Sequence, residues 1–235
     1  MKKIFAGLLW LAGSVLAFFA IFTVAILSSK EIATFAVNHC TEYHLTYSAW
    51  DGSLFGRSDV RNANLQIPQK EIVLNIKNIV LQAEWRELFK NGRLKLACEL
   101  DDTVLSPLGG ENSFFENAGN GNNSMDSITD ALFDPGMKYD QITFTLMSSA
   151  SNLKITNFKA LSRDVRIEGN YSYFRENGDV DVDIKISFSS EMSEKFGEDI
   201  LKHVLSPDKD GWYSTSIKYR GNPVILKAVY SFVLS

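Results

Sequence analysis

Asp179-Val180-Asp181-Val182-Asp183-Ile184-Lys185-Ile186-Ser187-Phe188 is the stretch that decides the fold class. Val180, Val182, Ile184, Ile186 and Phe188 alternate without a break against Asp179, Asp181, Asp183 and Lys185. Successive side chains of an extended chain point to opposite faces, so this order puts every apolar group on one side and every charge on the other. A helix would wrap both sets around its axis. The segment is a half-buried strand, and Asn177-Gly178 just before it is a tight-turn signal.

The same period recurs on both sides of it. Ile72, Leu74 and Ile76 alternate with polar neighbours, as do Ile79, Leu81, Ala83 and Trp85, and then Leu94, Leu96, Cys98 and Leu100. Ile142, Phe144 and Leu146 continue it, followed by Val165, Ile167, Tyr171 and Tyr173. A long final strand is expected from Val224, Leu226, Ala228, Tyr230, Phe232 and Leu234. Connections such as 51–56, Asn91-Gly92 and Asn177-Gly178 are too short for parallel crossovers, so the sheet is expected to be antiparallel.

Three stretches leave this rhythm. Residues 86–91 form a short helical turn, with Leu88 and Phe89 expected to face inward and Gly92 closing it. Residues 108–127 are rich in Gly, Asn and Ser and read as a flexible loop. Met192, Phe196, Ile200 and Val204 recur every fourth residue, which predicts an amphipathic helix over 190–205 ended by Ser206-Pro207. The expected organisation is a membrane anchor in 1–40, a β region in 41–107, the loop in 108–127 and a second β region in 128–235.

The anchor rests on residues 4–27, which carry no charge and are rich in Leu, Phe, Ala, Ile and Val. As a helix at about 1.5 Å per residue they reach roughly 36 Å, enough to cross a hydrocarbon core of about 30 Å. No small-residue cleavage site follows before Ser28-Ser29-Lys30-Glu31, so a retained single-pass helix is expected. Ile32, Phe35, Ala36 and His39 keep helical spacing beyond it. Lys2 and Lys3 lie ahead of the span while Glu31 balances Lys30, which places the N-terminus in the cytoplasm and the rest of the chain outside, in the periplasm of a two-membrane cell.

Composition excludes several function classes. Twenty-four basic and 28 acidic residues leave a net charge of −4, with no basic excess for a phosphate backbone, so nucleic acid is not an expected partner. Nucleotide-binding glycine loops, the His-Glu-x-x-His helix and the Gly-x-Ser-x-Gly elbow are absent; no enzyme activity, cofactor or metal is expected. His39, Cys40 and His44 read as the end of a helix rather than a metal set. Asp179, Asp181 and Asp183 read as a solvated strand face, and Asp101-Asp102 as the polar end of a strand. An exported compartment permits a disulfide between Cys40 and Cys98, while two buried thiols fit the sequence as well.

A family resemblance comes with residues 47–56, Tyr-Ser-Ala-Trp-Asp-Gly-Ser-Leu-Phe-Gly, followed by Val60, Leu65, Trp85, Leu88, Gly92 and Leu94. This stretch resembles the start of the AsmA and TamB-like proteins. Phe144, Leu153, Ile155, Val165, Gly169 and Tyr171, the strand from Val180 to Phe188 and the segment 217–223 are similar to their C-terminal region. The first half is also similar to type II secretion protein N, with the same Gly-x-Leu-x-Gly turn. The resemblance implies an inner-membrane-anchored periplasmic protein with an elongated β-groove of apolar interior, concerned with phospholipid movement and outer-membrane biogenesis. It makes Val180, Val182, Ile184, Ile186 and Phe188 candidates for a lipid-lining face. A closed, sandwich-like core would give the same alternation. The second expectation is a structural subunit of a secretion or pilus machine that docks to other envelope proteins.

Overall fold

The structure is a computed structural model, and it describes residues 31, 34, 38, 39, 43–52, 56–68, 72–107, 136–194, 196, 203–208 and 210–222. Residues 4–27, Cys40, the 108–127 stretch and the strand expected over 224–234 lie outside the described residues. Among the described residues no helix is long and apolar enough to cross a membrane.

The described chain is mainly β. Its strands are β1 His44–Thr46, β2 Ala49–Gly52, β3 Arg57–Ile67, β4 Ile72–Ala83, β5 Leu94–Pro107, β6 Lys138–Ser148, β7 Asn152–Leu161, β8 Val165–Phe174, β9 Val180–Phe188, β10 Ser206–Pro207 and β11 Tyr213–Gly221. Two short helices accompany them, α1 Trp85–Asn91 and α2 Ser190–Ser193. All eleven strands belong to one antiparallel sheet in the order β1-β3-β4-β5-β6-β7-β8-β9-β11-β10, with β2 beside β1 on β3. Among the described residues it is one open sheet, so the sandwich-like arrangement is not the one adopted. Nor does the sheet break between the two β regions, because β5 and β6 pair from Leu94↔Ser148 to Val104↔Lys138.

Two alternating stretches expected as separate strands, around Ile72–Ile76 and Ile79–Ala83, form the single strand β4. The apolar set switches from even to odd positions between Ile76 and Ile79, leaving Lys77 and Asn78 both on the polar side. Neighbouring strands make the same switch in register: Arg61-Asn62 on β3 and Asp101-Asp102 on β5. Asn62 and Asp102 absorb it by adopting φ of 47° and 48°, a left-handed conformation that Asn and Asp tolerate better than other side chains. Asp101-Asp102 is therefore mid-strand, not a strand end. Further along, β7 makes its own switch at a bulge, where Asn157 has φ 54° and lies between Ile155 and Phe158.

The helices also depart from expectation. α1 begins at Trp85, which ends the strand alternation, and its C-cap Gly92 sits at φ 62° with its N–H on the Leu88 carbonyl. Phe89 faces solvent, 77% exposed, instead of inward. Of the expected 190–205 helix, α2 covers Ser190–Ser193 and His203 is again helical, while residues 195 and 197–202 lie outside the described residues. Ser189 caps it by accepting the Met192 N–H at 3.1 Å, but Phe196 N–H already bonds to Ser193, one residue short of α-helical pairing. The i, i+4 spacing of Met192 and Phe196 still has a physical result, since both side chains reach the core.

Candidate functional site

Strand register brings the apolar residues of the sheet together on one face. One cross-strand row runs Val60, Ile79, Leu100, Ile142, Ala160, Ile167 and Ile186. Nearer α1, another runs Ala83, Leu96, Leu146, Ile155, Tyr171, Val182 and Tyr219. The opposite face carries ion pairs, such as Lys77–Asp102 at 3.0 Å, Lys138–Asp102 at 3.0 Å and Lys218–Asp183 at 3.2 Å. The two lysines hold the Asp102 carboxyl below its ordinary pKa, first through hydrogen bonds and then through their charge. These pairs are exposed and each contributes little to stability.

The apolar face is not uniform along its length. At the α2 end it is sealed: Phe188, Val165, Ile186 and Leu105 pack with Met192, Phe196 and Leu205 in one buried cluster. Phe188 is wholly buried, its ring 4.9 Å from that of Phe196 in an edge-on contact. Ser189 holds this cover down, donating from Oγ to Asp164 at 3.1 Å and from its N–H to the Asp164 carbonyl at 2.9 Å. A second cluster of Trp50, Val60, Ala63 and Ile76 closes the β1–β3 side. Toward the α1 end, Leu94, Leu96, Leu146, Leu153, Ile155 and Tyr171 are only half-buried, and Tyr173 is exposed.

Each candidate from the sequence has a place on this face. Ile186 and Phe188 lie within the sealed core, Val180 and Val182 are buried nearer the α1 end, and Ile184 is half-buried between them. The half-buried positions on β5, β6 and β7 were not singled out as lining residues, although the alternation of Leu94 to Leu100 and Ile142 to Leu146 carried the same signal. Cys98 is a free thiol, buried on the apolar face, and desolvation pushes its pKa up to about 11. It makes no disulfide; Cys40 lies outside the described residues.

Two hydroxyls stand out on this otherwise apolar side. Among the described residues, Ser58 Oγ and Thr103 Oγ1 are fully buried with no hydrogen-bond partner, an arrangement that costs about 1–3 kcal/mol per group. Thr103 lies between Ile76 on β4 and Tyr139 on β6. Tyr139 is itself buried, and desolvation raises its phenol to about 12.

On the polar side, a recess of about 250 Å³ lies over Val80 and Ala97 with Gln82, Glu99, Thr143 and Thr145 around it. Asp183 and Asp179 are occupied separately, by Lys218 and by the Asn177 amide. Among the described residues no group of His, Cys, Asp and Glu is arranged to hold a metal ion. The arrangement is one apolar sheet face, packed under α2 and Leu205 at one end and with half-buried Leu94, Leu96, Leu146 and Ile155 toward the other. No family model, curated protein or solved structure matches this chain.

Proposed function

We propose that this chain is an AsmA-like protein of the cell envelope, anchored in the inner membrane with its sheet in the periplasm. In this reading it holds or passes lipid along the apolar face and so supports outer-membrane biogenesis. One observation carries the reading. The apolar rows continue without interruption into the α1 half of the sheet, where Leu96, Leu146, Ile155 and Tyr171 are half-buried instead of sealed. An apolar sheet face in water needs a cover, and acyl chains supply one without requiring directional contacts.

The test uses the full chain in living cells. A benzophenone amino acid at Leu146 or Ile155 is irradiated after labelling cells with radioactive phosphate, and a third position, Thr145 on the polar face, serves as control. Labelled lipid attached at Leu146 and Ile155 but not at Thr145 is the expected result. Capture of proteins alone at the two apolar positions would replace this reading with a docking subunit of a secretion or pilus machine.

A further inference from the structure

We propose that the α1 end of the sheet docks on an anionic lipid surface, with Phe89 entering the headgroup layer among Arg86, Lys90, Arg93 and Lys154. Phe89 is 77% exposed on a helix that buries none of its residues. Arg86, Lys90 and Arg93 are exposed beside it. Helical spacing sets Arg86 next to Lys90, four residues on, and Phe89 follows Arg86 by three. Among the described residues none of these four cations has an acidic partner, although acids stand close by. Glu84 is taken by Lys95 at 2.7 Å, and Glu87 accepts from the Asn91 amide at 2.8 Å.

A recess of about 410 Å³ adjoins this cluster, with Arg93 and Lys154 on its walls, while the turn hydroxyls of Ser149 and Ser151 are engaged with each other and with Asn152. Cations without acidic partners are what a phosphate headgroup needs. A lone projecting aromatic with flanking cations fits a fluid lipid interface. A protein partner would need a broader apolar patch around Phe89, so an acidic protein is the less fitting occupant.

The place of α1 in the fold adds to the case. The helical residues before β1 meet the sheet at Leu45, which pairs with Leu65 on β3. α1 follows the other end of the sheet, where Gln82 pairs with Arg57. The eight residue steps from Arg57 to Leu65 separate the two by about 26 Å along the strands. The surface contacted by α1 thus lies away from the point where the N-terminal segment joins the sheet. This inference stands whether or not lipid occupies the apolar face, and its test is separate from cross-linking at Ile155.

Full-length chain in phosphatidylcholine discs is mixed with vesicles of phosphatidylcholine alone or of phosphatidylcholine with phosphatidylglycerol, and bound protein is read by flotation. Binding is expected only with phosphatidylglycerol and should fall as salt rises. The combined change Arg86→Gln, Lys90→Gln and Arg93→Gln should weaken it roughly a hundredfold, about fivefold per cation. Phe89→Ser should weaken it about tenfold, whereas Arg86→Lys with Arg93→Lys should retain it. Equal binding to both vesicles, no binding to either, or an unaffected triple variant overturns the proposal. So does capture of an acidic protein in place of vesicles.

Discussion

The side-chain amide of Asn38 satisfies both backbone groups of Leu45: its Oδ1 accepts the Leu45 N–H at 2.6 Å, and its Nδ2 donates to the Leu45 carbonyl at 3.0 Å. An amide side chain carries a donor and an acceptor spaced like those of a peptide, so Asn38 takes the place of a neighbouring strand on β1. Exposed strand edges invite pairing with other chains, and this contact occupies part of that edge. It also ties helical residue 38 to the sheet, alongside a contact of Thr34 Oγ1 with the Tyr47 hydroxyl at 3.4 Å.

Asn38→Leu should therefore release the Leu45 amide. Hydrogen exchange at Leu45 should accelerate while exchange in β5 stays slow, and stability should drop by about 1–2 kcal/mol for the two lost bonds. Unchanged exchange at Leu45 would mean that another group protects this edge.

Gly169 is required by close approach and not by backbone angle. A Cβ there would run into the Asp183 carbonyl and lie 2.8 Å from the Ile184 Cα, both backbone atoms of β9. Backbone of a central strand cannot step aside cheaply, so Gly169→Ala should lower stability by about 2–3 kcal/mol. Gly56→Ala, where an added Cβ meets nothing within 4 Å, is the matched control and should leave the thermal midpoint nearly unchanged. Equal effects of the two would remove the packing explanation.

Why the strands were legible in the sequence and the bend line was not has a physical basis. Alternation from Val180 to Phe188 is visible because the two faces of the sheet meet different media. Short turns likewise announce antiparallel neighbours. The switch between Ile76 and Ile79 looked like two strands because the residues absorbing it, Asn62 and Asp102, are on neighbouring strands; two adjacent carboxylates at Asp101-Asp102 then resembled a strand end. Phe89 was expected inward because apolar residues usually are, yet no residue of α1 is buried. Met192 and Phe196 do share a packing face, but the chain leaves the helix at Glu194. The same limit applied to the site. Alternation marks an apolar face, whereas sealed and half-buried ends of it depend on where α2 and Leu205 come to rest, which is a long-range outcome.

Burial of two titratable groups gives stability a definite alkaline dependence. Cys98 is raised to about 11 and Tyr139 to about 12 by desolvation. A group whose folded pKa is raised contributes stability that is complete below its unfolded pKa and is lost as pH rises through the folded value. For the thiol that window runs from about pH 9 to 11. The stability difference between the protein and Cys98→Ala should thus be constant near neutrality and narrow across this window, as read by urea unfolding at stepped pH. A difference that stays flat to pH 11 would show that the thiol is not desolvated.

Thr103 offers the sharpest link between stability and function. Its Oγ1 is buried without a partner among Ile76, Tyr139 and the rest of the apolar face. Valine has nearly the same shape and no hydroxyl. If the face holds only apolar groups at this point, Thr103→Val removes an unsatisfied donor and should raise stability by about 1 kcal/mol. It should also leave lipid capture at Ile155 intact, because Ile155 lies in the half-buried rows toward α1 while Thr103 is in the sealed part of the sheet. Thermal unfolding and the cross-linking measurement on the same variant check the two expectations separately. Loss of stability on removing the hydroxyl would instead reveal that Thr103 has a partner in the cell, and loss of lipid capture with it would identify that partner as the bound lipid.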